Sequence, residues 1–336
     1  MKRCLELAIM GKGYVAPNPM VGSVIVCNGE IIGEGYHAHF GEAHAEASAI
    51  AAVSDAGLLS KSTLYVNLEP CTHLGKTGAC ADVILKSNIR KVVVGCRDSN
   101  TQVKGLGVEY LKEHGCEVEL GVREVECLEL NRRVVTFHEK KRPYIILKWA
   151  ESSDGFIAPA DQAQQWITGD ESKRLVHKWR AEEQAIMVGT NTVVIDNPAL
   201  TTRLWPGDNP IRISIDNKGR IPSTSQMLNG AADTIVYTDR IIEGPQYSDY
   251  VEVAQGVKQL SGIITDLHTR DVTSLLVEGG QQLLNSFIGC GLWDEARVFT
   301  GTKKFGEGRK APNLPLAHTD EVVVGEDMLR LYYNKT

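Results

Sequence analysis

Apolar and polar positions along this chain follow two periods, strict alternation and a helical repeat, and the two trade places at regular intervals. The first clear signal is a hairpin. Val21 to Cys27 and Glu30 to Tyr36 flank Asn28-Gly29, a pair suited to a type I′ turn because both of its central positions need positive φ. Residues 3–11 before it read as a short amphipathic helix. After it, strands are predicted at 63–68, 92–94 and 116–120, interleaved with helices at 44–56, 79–87 and 105–114 and followed by a helix over 124–137. Strands separated by helices of about ten residues imply crossover units and a layered α/β sheet.

Beyond residue 143 the pattern restarts. Tyr144 to Trp149 is an apolar run that reads as a buried strand, and a helix at 170–180 and strands at 185–188 and 211–215 follow. Late in the chain Ser274-Leu275-Leu276-Val277-Glu278 predicts a strand running into Gly279-Gly280, then a helix over 281–288. This part is α/β as well. There is no internal repeat and no low-complexity tract.

At 336 residues the chain is long enough for two domains at roughly 100–200 residues each. Residue usage places the division. Of eight cysteines, seven precede residue 130, whereas all five tryptophans follow residue 148. The charged segment His138-Glu139-Lys140-Lys141-Arg142-Pro143, closed by a proline that discourages helix, reads as the junction, giving domains 1–142 and 143–336.

Charge and hydropathy then exclude classes of function. Lys and Arg number 36 against 42 Asp and Glu, a formal charge of −6 without runs of like charge, so the basic footprint of a nucleic-acid binder is missing. No apolar stretch reaches the 18 or so residues that span a bilayer, and Glu6 falls where a signal peptide would have its apolar core. A cytoplasmic protein with reduced thiols is expected, with neither nucleic acid nor membrane as partner and with a homo-oligomer left open.

One constellation carries chemistry. His44-Ala45-Glu46 opens a predicted helix, while Pro70-Cys71 and Cys80 bracket the loop after a predicted strand. One imidazole and two thiolates make three protein ligands, the number a catalytic zinc keeps while leaving a fourth position for water. Zinc lowers the pKa of such water from about 15.7 to about 7. Glu46 can then take the water proton and deliver it to a leaving amine. Taken singly, Cys71 and Cys80 fit buried thiols and His44 a surface histidine. Jointly they form the His-x-Glu and Pro-Cys pattern of zinc nucleobase deaminases. The departure is in spacing: eight residues separate the cysteines, where the general pattern has two.

Three segments narrow this further: Pro17-Asn18-Pro19-Met20-Val21-Gly22, Gly41-Glu42-Ala43-His44-Ala45-Glu46, and Leu68-Glu69-Pro70-Cys71-Thr72-His73-Leu74-Gly75-Lys76-Thr77. With them the chain resembles, over nearly its whole length, the RibD family of bifunctional riboflavin biosynthesis proteins, in which a pyrimidine deaminase is joined to a reductase. The resemblance implies a cytidine-deaminase-like three-layer domain followed by a dihydrofolate-reductase-like domain. It also implies a substrate, 2,5-diamino-6-ribosylamino-4(3H)-pyrimidinone 5′-phosphate, that is deaminated and then reduced by NADPH from ribosyl to ribityl. His44, Cys71 and Cys80 are then the Zn²⁺ ligands and Glu46 the proton shuttle. Asn18, His73 and Lys76 face the pyrimidine and its phosphate. Ala79 stands where relatives have proline, and Asp98-Ser99-Asn100 where they have Asp-Pro-Asn.

Unaided, the second half says less. Gly306-Glu307-Gly308-Arg309-Lys310-Ala311 matches a dinucleotide fingerprint formally, but Pro312 and Pro315 forbid the helix it needs. Gly279-Gly280 is better placed, between a strand and a helix N-terminus that favours phosphate, although a plain turn fits equally well. Gly189-Thr190-Asn191-Thr192-Val193, Asp196 to Arg203 and Val277-Glu278-Gly279-Gly280 resemble the family's reductase. That resemblance implies NADPH contacts from Glu151, Trp166, Thr192, Asp196 and Asn217. It adds the run Gly280, Gln281, Gln282, Leu283, Leu284, Asn285 and Ser286. Lys148, Gln164, Arg180, Leu200, Arg203 and Glu278 are implied for the substrate, with Arg180 and Arg203 as phosphate clamps. Glu151 stands where relatives have a small residue, and Gln164 where they often have serine. Lys148, Asp196 and Glu278 are the candidate proton donors, unranked by sequence.

Two rival readings have their own signatures. A tRNA or deoxycytidylate deaminase with an unrelated appendage would lack the long loop between the cysteines. A second half that binds cofactor or partner without reacting would bind NADPH but not oxidise it.

Overall fold

In the computed structural model Asn28 and Gly29 both take left-handed backbone, with φ of 50° and 85°, and close β1 (Gly22–Cys27) onto β2 (Glu30–Tyr36). The structure describes residues 1–72, 78–100, 103–161, 165–240, 244–256 and 258–334, and these divide into two units, Met1–Arg142 and Pro143–Thr336.

In the first unit β1 also pairs antiparallel with β3 (Thr63–Leu68), while β3, β4 (Lys91–Cys96) and β5 (Glu117–Leu120) run parallel, giving the order β2-β1-β3-β4-β5. Helices cover both faces. α2 (Ala45–Ala51), α3 (Cys80–Lys86) and α4 (Leu106–Glu113) pack Ala49, Ala81, Ile84, Val108 and Leu111 against Ile25, Leu64, Val66 and Val94. On the other face α1 (Lys2–Ala8) brings Cys4 and Leu7 to Val24, and α5 (Glu124–Leu130) brings Cys127 to Leu68 and Cys96. α2 lies unusually close to its strand, because a Cβ at Gly33 or Gly35 of β2 would run into the Ala49 backbone.

Two helices differ from the sequence expectation. The one over 44–56 ends at Ala51, and the one over 124–137 breaks at Asn131 into α5 and α6 (Arg132–Lys140). Asn131 is buried, its Oδ1 accepting from Met20 N at 2.8 Å and its Nδ2 donating to Met20 O at 3.0 Å. A contact 111 residues away thus decides where the helix stops.

The second unit has a nine-stranded sheet. β6 (Tyr144–Glu151), β8 (Ala185–Val188), β9 (Ile211–Ile215), β10 (Thr234–Thr238), β11 (Asp249–Glu252), β12 (Ser274–Glu278) and β13 (Glu295–Thr300) are its parallel members. β16 (Asp327–Tyr333) and β15 (Asp320–Val324) add antiparallel, giving the order β11-β10-β9-β8-β12-β6-β13-β16-β15. β7 (Phe156–Pro159) and β14 (Gly308–Lys310) form a separate ribbon, so the middle of the formal glycine fingerprint at 306–311 is strand and no helix begins there.

Parallel strands are sandwiched, which is why Ile145, Ile146 and Leu147 are all buried. α9 (Gln259–Thr269) and α10 (Gln281–Gly289) cover one face, through Ile263, Leu267, Leu284 and Phe287. On the other, α7 (Asp170–Glu182) packs Val176 and Trp179 against Ile146, Leu276 and Phe299. α8 (Thr190–Asp196) follows β8 directly. No helix among the described residues is long and apolar enough to cross a membrane.

Candidate functional site

Three chain segments meet at one point in the first unit. His44 is the N-cap of α2, its backbone still extended, so its imidazole projects from the start of the helix. Cys71 lies just past β3, and Cys80 is the first residue of α3. His44 Nδ1 is 3.1 Å from Cys80 Sγ and 3.7 Å from Cys71 Sγ, and all three ligand atoms lie within 4.8 Å of one another. Cys80 N also points at Cys71 Sγ, at 3.4 Å.

The chemistry of this donor set fits a zinc ion. A hydrogen bond from Cys80, aided by His44, pulls the Cys71 thiol down to about 4, and the same contact together with burial pushes Cys80 up. The Cys71 bond raises His44. Two sulfurs and an imidazole nitrogen gathered within 4.8 Å form the soft N/S donor set that zinc takes, and binding the ion releases the protons these groups share. Glu46, two residues further in the first turn of α2, is only 3% exposed, and burial pushes its carboxyl up to about 7. A carboxyl poised there exchanges protons readily at neutral pH.

Asn18 is held beside this centre by a residue the sequence reading passed over. His37 Nδ1 lies 3.1 Å from Ala43 O, which can only accept, so Nδ1 carries the hydrogen. His37 Nε2 then accepts from Asn18 Nδ2 at 3.1 Å, which leaves the Asn18 Oδ1 for other partners. The His37 and His44 rings meet edge to face, 5.3 Å between centroids. Behind Cys71, the buried Glu69 carboxylate accepts from the backbone N–H groups of Asp98, Gly105 and Val108, tying the end of β3 to the start of α4. His73 and Lys76 lie outside the described residues.

In the second unit two cavities open near the carboxyl ends of the parallel strands, where ligands of α/β sheets bind. One brings together Lys148, Arg180, Leu200, Arg203 and Glu278, five of the six residues expected at the substrate; the sixth, Gln164, lies outside the described residues. Arg180 grips Glu278 with two bonds of 2.9 Å, and Lys148 Nζ is 3.6 Å from the same carboxylate. Burial alone would raise Glu278, but Arg180 and Lys148 outweigh it and hold the carboxyl at about 2. Burial pushes Lys148 down despite its partner. Leu200 has a left-handed backbone, φ 56°, while being 2% exposed. Arg212, fully buried, anchors the neighbouring chain by donating to Ala199 O and Gln226 O.

The other cavity is lined by Thr192, Asp196, Gly280, Gln281, Gln282, Leu283 and Ser286, all expected at the cofactor. Gly279 and Gly280 both have positive φ, 95° and 59°, which turns β12 sharply into α10. Asp196 borders both cavities. The other expected cofactor residues sit elsewhere. Trp166 lines the substrate cavity, Leu284 is in the core, and Asn285 is not part of either lining. Glu151 accepts from Trp149 Nε1 at 3.1 Å, and Asn217 exchanges two hydrogen bonds with Gln259. Arg220, Arg309, His177 and Lys173 line the cavities without having been marked by sequence, since isolated basic residues resemble any solvated side chain.

Known proteins divide in the same way. Residues 1–96 match the model of the cytidine and deoxycytidylate deaminase zinc-binding region, and residues 143–322 match the RibD C-terminal domain. Fold and site together define a zinc-binding deaminase domain joined to a dihydrofolate-reductase-like reductase domain. The riboflavin biosynthesis protein RibD of Aquifex aeolicus is 41% identical over 329 residues, covering 96% of this chain and 91% of that protein. The chain belongs to the RibD family. Among solved structures, the diaminohydroxyphosphoribosylaminopyrimidine deaminase/5-amino-6-(5-phosphoribosylamino)uracil reductase of Thermotoga maritima superposes with a TM-score of 0.90 at 38% identity, covering 98% of this chain and 96% of that one. Acinetobacter baumannii RibD also gives 0.90, at 32% identity, with 99% and 98% covered.

Proposed function

We propose that this chain performs two consecutive steps of riboflavin biosynthesis. Residues 1–142 remove the 2-amino group of 2,5-diamino-6-ribosylamino-4(3H)-pyrimidinone 5′-phosphate by hydrolysis. Residues 143–336 then reduce the ribosyl group to ribityl. The observation that carries the reading is the convergence of His44, Cys71 and Cys80 within 4.8 Å in a chain that also matches the RibD reductase domain.

Bound zinc supplies a Lewis acid that makes water nucleophilic near neutral pH, and bound NADPH supplies a hydride. The protein's own groups do the rest. Glu46 accepts a proton from the attacking water and passes it to the departing amine, work suited to a carboxyl pushed up to about 7. Asn18, oriented by His37, offers its amide oxygen to the pyrimidine. In the reductase Glu278 is held ionised and has no proton to give. Lys148 is the proton source, an ammonium in the same cleft whose release burial favours. Arg180 is committed to Glu278, so the exposed Arg203 takes the substrate phosphate.

A cytoplasmic setting keeps the two cysteines reduced for metal. The test is product identification with zinc-loaded protein. Without NADPH a deaminated ribosyl compound accumulates, and with NADPH it becomes the ribityl compound. Absence of deamination from the loaded protein, or equal activity on tRNA or free deoxycytidylate, defeats the reading.

A further inference from the structure

The cofactor cavity carries two guanidinium groups, Arg220 and Arg309, and neither belongs to the cofactor contacts that family resemblance supplies. Arg220 is fixed at two points. Its Nη1 donates to Asn191 Oδ1 at 2.9 Å, and its backbone N donates to Asp216 Oδ1 at 2.9 Å. Asp216 Oδ2 accepts from Ile221 N at 2.8 Å, so both carboxylate oxygens are spent inside the turn after β9, and the residue is 2% exposed.

That arrangement has a consequence for ribose recognition. Dinucleotide sites for NADH commonly present an acid to the adenosine 2′-hydroxyl, whereas NADPH sites place an arginine near the 2′-phosphate. Here the acid after β9 is turned inward, and the arginine four positions later faces the cavity. Among the described residues lining this cavity the only acid is Asp196, which also borders the substrate cleft and so marks the hydride end.

Position agrees with charge. β9 is three strands from β6, which carries Lys148 in the substrate cleft, through the order β9-β8-β12-β6. At about 4.8 Å per strand this is about 14 Å, a span that an extended dinucleotide covers between its nicotinamide and its adenosine ribose. The first residues of α10 line the cavity between these two ends, where backbone N–H groups would meet the linking phosphates.

We propose that Arg220, held by Asn191, recognises the adenosine 2′-phosphate and makes this reductase select NADPH over NADH. The assignment rests on the NADPH-dependent reading of the second unit.

Equilibrium calorimetry on the full-length protein, with no turnover, tests it. The probes are NADPH, NADH, adenosine 2′,5′-bisphosphate and 5′-AMP. Arg220→Gln is expected to weaken NADPH and the bisphosphate at least tenfold while changing NADH and 5′-AMP less than twofold. Arg220→Lys should recover part of the loss, and Asn191→Ala should show the same selectivity to a smaller degree. An equal loss for NADPH and NADH assigns Arg220 to another part of the dinucleotide and overturns the proposal, as does unchanged NADPH binding. Should Arg220→Gln fail to fold, Asn191→Ala decides the matter by the same comparison. Wild-type protein that binds neither dinucleotide refutes the reductase reading itself, and the Arg220 assignment with it.

Discussion

Lys148 and Glu278 are register partners across the parallel pair β6 and β12, their head groups 3.6 Å apart, and Arg180 closes on the same carboxylate from α7. The three charges stand or fall together. Glu278→Gln leaves two buried cations without their counter-ion, a change that costs about 3–5 kcal/mol when a buried pair loses one member. A lower melting temperature of the second unit is expected, with the reductase KM raised at least tenfold and deamination intact. Equal stability and KM in the variant would mean that the triad does not order the cleft.

Lys148→Met removes the proposed proton source while keeping the stem that packs in the cleft. The reductase kcat should fall by about 10²–10⁴-fold, the usual worth of a positioned acid. NADPH binding, followed by fluorescence, should be unchanged. A variant that retains kcat transfers the role to Asp196.

Glu46→Gln keeps the shape of the metal pocket and deletes only the proton carrier. Metal analysis should find one zinc per chain as in the parent, with the deamination rate down by about 10²–10⁴-fold. Loss of zinc along with activity would reassign Glu46 to holding the site together.

Arg203→Ala tests the division of labour between the two arginines of the substrate cleft. Because Arg203 is exposed and Arg180 is tied to Glu278, truncation should raise the reductase KM by about tenfold, near 1.4 kcal/mol, with little change in melting temperature. Deamination should be untouched.

His177 makes stability depend on pH. Burial, reinforced by Arg180 and Arg203, pushes its imidazole down to about 4, and its Nδ1 accepts from Arg203 N at 3.0 Å. In the unfolded chain the same ring titrates near about 6.5. Between these values the unfolded state binds a proton that the native state refuses, so stability is full above about 6.5 and is lost as pH falls toward 4. His177→Asn keeps an acceptor for Arg203 and removes the titration. Denaturation midpoints at pH 7 and pH 4.5 should differ less in the variant than in the parent, and an identical pH slope would remove His177 from the account.

Local signals in the sequence carried far where the deciding interactions are local. Asn28-Gly29 is its own turn, and the strands 63–68, 185–188, 211–215 and 274–278 stand where their apolar runs end. The break at Asn131 is invisible to any window, since its cause is Met20. α9 is a different case. Leu260, Ile263, Ile264 and Leu267 follow helical spacing, a signal present in the chain and passed over. In the site, pattern singled out His44, Cys71 and Cys80 because a His-x-Glu followed in order by a Pro-Cys and a second cysteine is a rare combination. Arg212 and Arg220 offered no pattern, because what sets them apart is the neighbours each meets: Ala199 and Gln226 for one, Asn191 and Asp216 for the other.

Gly33 and Gly35 let α2 settle onto β2, and α2 is the element that presents His44 and Glu46. The aim of the amine-removing half is therefore set by two methyl groups that are not there. A saturation survey of this chain would find these chemically mute positions among the least forgiving in the first unit, lethal to one activity and silent in the other.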